Sequence, residues 1–256
     1  MNLAGCAAIV TGSSSVTGIG AECAKALAGR GCNVVINYLS NQQGAKETAA
    51  ACEALGVETL IFQGSVADDQ SCRAMVAAAM DKWGRLDALV NNAAVTKPIK
   101  HVNMDQLDGD EFIRIYKVNV IGAYQMIRAA RPHLKASGDG AVVNISSTAV
   151  FRASGSSIAY CASKGALNNI TISLARVLAP EVRINAVCPG GLLGNWTRNI
   201  LTEEEYQKRV DEAANEYLLA KAIWPADVAN TALWLIEGAT HMTGEAVRID
   251  VGRHLQ

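Results

Sequence analysis

Two side chains four residues apart, Tyr160 and Lys164 in YCASK, could do chemistry together. On a helix that spacing places both on one face. A lysine ammonium beside a phenol stabilises the phenolate and lowers the tyrosine pKa, which suits the phenol to donating and accepting protons. Taken alone, such a pair is also common on solvated helices. Ser147 shifts the weighing, because it lies thirteen residues before Tyr160, at the mouth of the apolar run AVVNIS. Parallel sheets present their ligand-binding groups at such strand ends. NNAA (Asn91–Ala94) closes another run at the same predicted edge. Asn119 stands among Val118, Val120 and Ile121 in a helical stretch. A buried asparagine there needs a partner, as a structural hydrogen-bonder or as part of a site.

The elements that must position these residues alternate between short apolar runs and longer amphipathic ones. Strands are predicted at Ala7–Thr11, Asn33–Tyr38, Glu58–Gln63, Ala88–Asn91, Ala141–Ser146, Arg183–Val187 and Ala246–Asp250. Their Val- and Ile-rich composition fits strands buried on both faces. Helices are predicted at Ile19–Arg30, Gln42–Leu55, Asp69–Trp83, Gly109–Lys135, Ile158–Leu178 and Ala226–Ile236. This alternation predicts an α/β fold: a single Rossmann-type doubly wound parallel sheet of about seven strands, with helices on both faces. One domain over residues 1–256 is expected, since no linker or internal repeat divides the chain. A segment at about 190–224 breaks the alternation, contains a predicted helix at Glu203–Tyr217, and is expected to be functional rather than architectural.

The first predicted strand hands over to the first helix through TGSSSVTGIG, residues 11–20. At such a junction the backbone N–H groups of a helix N-terminus can meet a pyrophosphate, and glycine lets the backbone come close. No Lys-Ser or Lys-Thr follows the last glycine, so a P-loop is excluded and dinucleotide binding is the better reading. Bulk properties agree with a compact enzyme-sized domain. A net charge of −1 gives no reason to expect nucleic acid or a membrane surface as partner. Every apolar run is too short to span a bilayer, and MNLAGCAAIVTG lacks the basic start of a signal peptide. The seven cysteines are scattered singly, with no CxxC pair, which fits reduced thiols in a cytoplasm and neither a disulfide frame nor a metal site.

The glycine turn, NNAA, VNV, NISS, YCASK, RINAVCPG and TGEAVRID together resemble the short-chain dehydrogenase/reductase family, over essentially the whole chain. The resemblance implies an NAD(P)(H)-dependent oxidoreductase that interconverts a ketone and a secondary alcohol. It implies that Tyr160 is the acid/base and that Ser147 holds the substrate oxygen. By the same resemblance Lys164 lowers the tyrosine pKa and binds the nicotinamide ribose, while Asn119 holds a helix kink and a proton-relay water. The implied cofactor contacts are Gly12, Ser14, Thr17, Gly18, Ile19 and Gly20 in the turn, then Tyr38, Leu39 and Ser40 after the second strand. Farther along they are Ser65 and Val66, Asn92 and Ala93, Tyr160 and Lys164 themselves, and Pro189, Gly190 and Leu192. It also implies that the insertion at about 190–224 covers the substrate, and self-association, as a tetramer or dimer, through the helices at Gly109–Lys135 and Ile158–Leu178.

The chain departs from the family pattern in places. Five residues, SSSVT, separate Gly12 from Gly18 where the family usually has three. Their hydroxyls either donate to phosphate oxygens or merely solvate a longer loop. Tyr38 takes the position usual for an acid that binds ribose, and Leu39 that of a base. With no acid to repel a 2′-phosphate, NADP(H) is favoured and NAD(H) remains possible. Ser65 replaces a common Asp, and Gly194 stands where a threonine is usual, with Thr197 nearest. The substrate wall is expected from Ser147, Phe151, Arg152, Tyr160 and Trp196, with Arg152 as a cationic corner and His101 as a solvated loop residue. Reduction of a C=C or C=N bond, or a non-catalytic dinucleotide sensor or scaffold, are the competing readings.

Overall fold

The computed structural model describes residues 1–255. Seven strands form one parallel sheet: β1 Ala7–Val10, β2 Asn33–Tyr38, β3 Thr59–Gln63, β4 Ala88–Asn91, β5 Gly140–Ile145, β6 Val182–Pro189 and β7 Ala246–Ile249. Their spatial order is β3-β2-β1-β4-β5-β6-β7. The order reverses between β1 and β4, which opens a crevice at their carboxyl ends. The register Asn91↔Asn144 brings the ends of β4 and β5 level at that edge.

Alternate strand residues point to opposite faces, and the apolar runs are long enough to feed a core on each. On one face Ala8, Val10, Val34 and Ile36 pack with α1 (Ile19–Ala28), α2 (Gln42–Glu53) and the helix Pro225–Glu237 near the C-terminus. On the other, Ile9, Val35, Leu89 and Val142 pack with α3 (Asp69–Trp83) and with two longer helices farther along the chain. The predicted helix over Gly109–Lys135 is interrupted. It consists of α4 (Gly109–Tyr116), a π-helical turn at Lys117–Gly122, and α5 (Ala123–Ala136). An apolar period cannot reveal that change of winding, because side chains on both sides of it stay on the same buried face. After β5 come a short helix, α6 (Ala149–Arg152), and then α7 (Ile158–Leu178). The segment after β6 holds α8 (Asn195–Arg198) and α9 (Glu203–Asn215), and α10 is the helix Pro225–Glu237.

Arg183 is a long cation inside β6, only 9% exposed. Its guanidinium donates to the carbonyls of Leu235 (2.7 Å), Ile236 (2.7 Å) and Ala239 (3.0 Å). The first two are acceptors left over at the C-terminal end of α10, where the helix dipole also favours a cation. Arg183→Met removes the donors and strands the carbonyls of Leu235 and Ile236, while that of Ala239 keeps the Met242 N–H. It should lower unfolding stability by about 3 kcal/mol, read as the shift of a urea unfolding midpoint; a shift under a third of that would mean water takes over the capping.

Candidate active site

A cleft of about 850 Å³ opens over the carboxyl ends of the strands. Its floor at one end is the turn between β1 and α1. Most long helices here are closed by a side chain: Asn41 caps α2, Asp68 caps α3, Asp108 caps α4, Ser157 caps α7 and Thr202 caps α9. The N-cap of α1 is Gly18, and no side chain bonds to its first N–H groups. An uncapped helix N-terminus lining a cleft is a ready anion site.

The glycines leave room for close approach. A Cβ on Gly20 would lie 2.5 Å from Asn92 Nδ2 and 2.6 Å from the Gly12 carbonyl oxygen. Gly12 has φ +63°, a left-handed conformation, and a Cβ there would meet Ala93 Cα at 2.9 Å. The turn is tied to β4 by Thr11, whose hydroxyl accepts the N–H groups of Asn92 and Ala93, each at 3.0 Å. Asn92 donates back to the carbonyls of Thr11 and Gly12. These features fit a dinucleotide pyrophosphate, and Gly12, Ser14, Gly18, Ile19 and Gly20 line the cleft there.

The hydroxyls of the lengthened turn divide by position. Ser13 is buried and donates to the Val10 carbonyl at 2.9 Å. Ser14 and Ser15 line the cleft. Thr17 does not: its hydroxyl accepts from Asn195 Nδ2 at 2.9 Å, so it straps the turn to α8 across the opening. Tyr38 is a second departure from the expected contacts. It shares the face of Val34 and Ile36 and is buried in the core against α2, away from the cleft. Asn37, one residue earlier and on the other face, lines the cleft instead, accepting the Gly12 N–H and donating to the carbonyls of Phe62 and Gly64. A polar residue inside the run NVVINY was its signal. Leu39, Ser40, Ser65 and Val66 line the same end, and Asn92, Ala93, Pro189, Gly190 and Leu192 line the middle. Gly194 lies outside the lining; Thr197 lines it, with its hydroxyl donated to the Leu192 carbonyl at 2.7 Å.

Ser147, Tyr160 and Lys164 all line the cleft, with Lys164 Nζ 5.7 Å from the Tyr160 ring centroid. Ser147 stands just past the end of β5, and Tyr160 and Lys164 share one face of α7. Burial pushes the Tyr160 phenol up to about 12, and the Ser147 hydroxyl beside it pulls the other way. Burial is the largest influence on the phenol. Both groups are taken from water, which favours their uncharged forms. Lys164 Nζ donates to the Ile145 carbonyl at 2.7 Å, and burial lowers its pKa to about 8. Asn119 sits in the π-helical turn, buried behind the site. It accepts the Val95 N–H (2.8 Å) and donates to the Val95 carbonyl and the Ser163 hydroxyl, each at 3.0 Å. Its side chain thus pins the strand-4 loop to α7, one position from Lys164.

Two expected substrate contacts lie elsewhere. Phe151 is half-exposed with the Arg248 guanidinium 4.2 Å from its ring centroid, and Arg152 donates to the Arg253 carbonyl at 3.1 Å on the surface. Trp196 does line the cleft, as does His101, whose Nε2 is 4.0 Å from Cys161 Sγ. The charge expected of Arg152 comes from Arg209 and Arg253, which line the cleft and which no local motif marked.

Residues 12–254 match the family model described as enoyl-(acyl carrier protein) reductase. The chain belongs to the short-chain dehydrogenase/reductase family. It is 38% identical to a Streptomyces violaceoruber protein named as a ketoacyl reductase of granaticin polyketide synthase, over 97% of this chain and 96% of that one. It is 30% identical to the 3-oxoacyl-[acyl-carrier-protein] reductase of Staphylococcus aureus, over 97% and 98% of the two chains. A solved short-chain dehydrogenase/reductase from Burkholderia xenovorans superposes with a TM-score of 0.89 at 39% identity, covering 98% of each chain. As a member of this family the protein is an oxidoreductase with a dinucleotide site.

Lys164 also makes stability depend on pH. Its pKa in the folded chain, about 8, lies below the ordinary 10.5. Between those values the unfolded chain holds more protons, so stability rises with pH. Compared with Lys164→Met, the wild type should gain about 3 kcal/mol between pH 8 and 10.5 in paired urea titrations; parallel pH profiles would show that the folded ammonium is solvated.

Proposed function

We propose that the protein is an NADPH-linked reductase that converts a ketone to a secondary alcohol, with the reverse oxidation open at high pH. The observation that carries this reading is that Ser147, Tyr160 and Lys164 line one cleft together with the uncapped start of α1. The cofactor, when bound, supplies the hydride. The chain's residues hold the carbonyl oxygen and deliver the proton.

Ser147 donates a hydrogen bond to the substrate oxygen and fixes its direction. Tyr160, with its pKa pushed up to about 12, carries its phenolic proton at neutral pH and gives it to the forming alkoxide. Lys164, a buried cation held against the Ile145 carbonyl, stabilises the phenolate left behind and bonds the ribose hydroxyls. Asn119 is a positioning residue: through Ser163, whose hydroxyl also donates to the Tyr160 carbonyl at 2.7 Å, it holds the turn of α7 that carries the pair. The preference for NADPH rests on the lining after β2, where Leu39, Ser40 and Asn41 present no carboxylate against a 2′-phosphate. The relatives named as ketoacyl reductases favour carbonyl reduction over the C=C reaction in the family model's description.

Self-association and location belong to the same proposal. Ile113, Ile121 and Tyr124 on the α4–α5 stretch, and Ile172 and Val177 on α7, are large apolar side chains left exposed, and we assign them to a homotetramer or homodimer interface. The seven cysteines are free and buried, which suits a reducing cytoplasm. Among the described residues no helix is long and apolar enough to cross a membrane.

Two measurements check the reading. In fluorescence titrations NADPH should bind more tightly than NADH; the opposite order would overturn the cofactor preference. Tyr160→Phe should lower kcat for ketone reduction by about a hundredfold to ten-thousandfold while keeping dinucleotide affinity. Undiminished turnover in that variant would remove the phenol from the mechanism, and a site that binds cofactor but reduces no ketone in the wild type would favour the sensor reading.

A further inference from the structure

The cleft holds more positive charge than a neutral ketone would use. Its charged lining comprises Lys100, Lys164, Glu205, Arg209 and Arg253. Lys164 is committed to the Ile145 carbonyl. Glu205 accepts the Thr202 N–H at 3.0 Å in the cap of α9, and its carboxylate is 3.9 Å from Lys100 Nζ. That leaves the two arginines. Among the described residues neither has a carboxylate within ion-pair distance.

Their placement puts them on the reacting side. Arg209 follows Glu205 by four residues on α9 and so shares its face. Glu205 meets Lys100, whose loop is pinned above the start of α7 by the Ile99 N–H donating to the Ser156 carbonyl at 2.8 Å. The Arg253 carbonyl is held by Arg152 on α6, the helix that begins two residues after Ser147. Tyr217 packs against Arg253. Its ring centroid is 5.4 Å from the Arg253 guanidinium, and its buried hydroxyl has no hydrogen-bond partner.

The pair is mutually unfavourable as it stands. Burial, then repulsion from Arg253, holds the Arg209 pKa below its ordinary value, with Tyr217, Glu212 and Glu205 opposing more weakly. Like charges kept together in a partly buried place are relieved by an anion between them. Guanidinium forks also match carboxylate and phosphate oxygens geometrically.

We propose that Arg209 and Arg253 form an anion clamp that selects ketone substrates bearing a carboxylate or phosphate group. The clamp rests on the proposed reaction for the placing of the ketone, since it binds the charged end while Ser147 and Tyr160 take the carbonyl. No new bond chemistry is involved; the arginines act through binding and orientation alone.

The test compares two pairs of ketones that differ in charge: 4-oxopentanoate with its methyl ester, and dihydroxyacetone phosphate with dihydroxyacetone. Each is assayed with NADPH on the full chain, as wild type, Arg209→Gln, Arg253→Gln and Arg209→Lys. The anionic member of at least one pair should have kcat/KM about tenfold to a hundredfold above its neutral partner, a ratio that collapses toward one in either glutamine variant. Arg209→Lys should keep part of it. Which pair shows the ratio tells carboxylate from phosphate. No preference in either pair, or a preference that survives both glutamine substitutions, overturns the clamp. Calorimetry with 4-oxopentanoate and dihydroxyacetone phosphate separates this from failure of the proposed reaction. If no ketone turns over, saturable binding of either anion that is lost in Arg209→Gln still supports the clamp, and binding of neither overturns it.

Discussion

The arrangement of this cleft depends on one hydrogen-bonded knot at the carboxyl ends of β1 and β4. Thr11 accepts two N–H groups from Asn92 and Ala93, and Asn92 returns two bonds to the carbonyls of Thr11 and Gly12. The knot sits where the strand order reverses, at the point where the crevice opens. It fixes the start of the glycine turn against the neighbouring strand so tightly that no side chain fits at Gly20. With the turn held there, the first turn of α1 faces the cleft with its N–H groups free. Backbone groups positioned this way need no reorganisation to meet an anion, which is why they can bind one without a charged side chain nearby.

Away from the knot, the site is organised by buried polar groups that are nearly all satisfied. Asn91 donates to Asn144, and Asn144 donates to Thr171, so a chain of side chains crosses from β4 through β5 to α7. Asn119 joins the loop after β4 to α7 from the other side. Buried polar contacts of this kind add modest net stability but penalise any other arrangement, because each would leave donors unmatched in a dry interior. The same dryness sets the protonation states. It keeps the Tyr160 phenol protonated and weakens the hold of Lys164 on its proton. In the proposed reaction a protonated phenol is the state that reduction requires.

The walls of the cleft come from segments far apart in the chain. Thr17 and Asn195 touch across its mouth although 178 residues separate them. Lys100 meets Glu205 across it in a similar way. Both contacts are exposed single interactions, each worth little by itself. They join the glycine turn and the loop after β4 to the segment of α8 and α9, which is otherwise anchored by the buried side chains of Thr197, Tyr206 and Tyr217.

The sequence alone determined the frame. All seven strands were legible as short apolar runs between helical patterns, and β2, β4, α3 and α7 have the bounds their patterns predict. The grouping of Ser147, Tyr160 and Lys164 was legible too, because strand ends and helix spacing are local properties. Tertiary packing decided the rest. Tyr38 lies in the core because strand parity puts it with Val34 and Ile36, which the motif position alone concealed. Thr17 turned to Asn195, and the cationic corner passed from Arg152 to Arg209 and Arg253, since a loop residue's direction is set by whichever distant segment packs over it. The tyrosine pKa followed the same rule. Spacing showed that a lysine stands beside the phenol, but only the folded interior set how much water remains around both, and desolvation is the largest influence on the phenol.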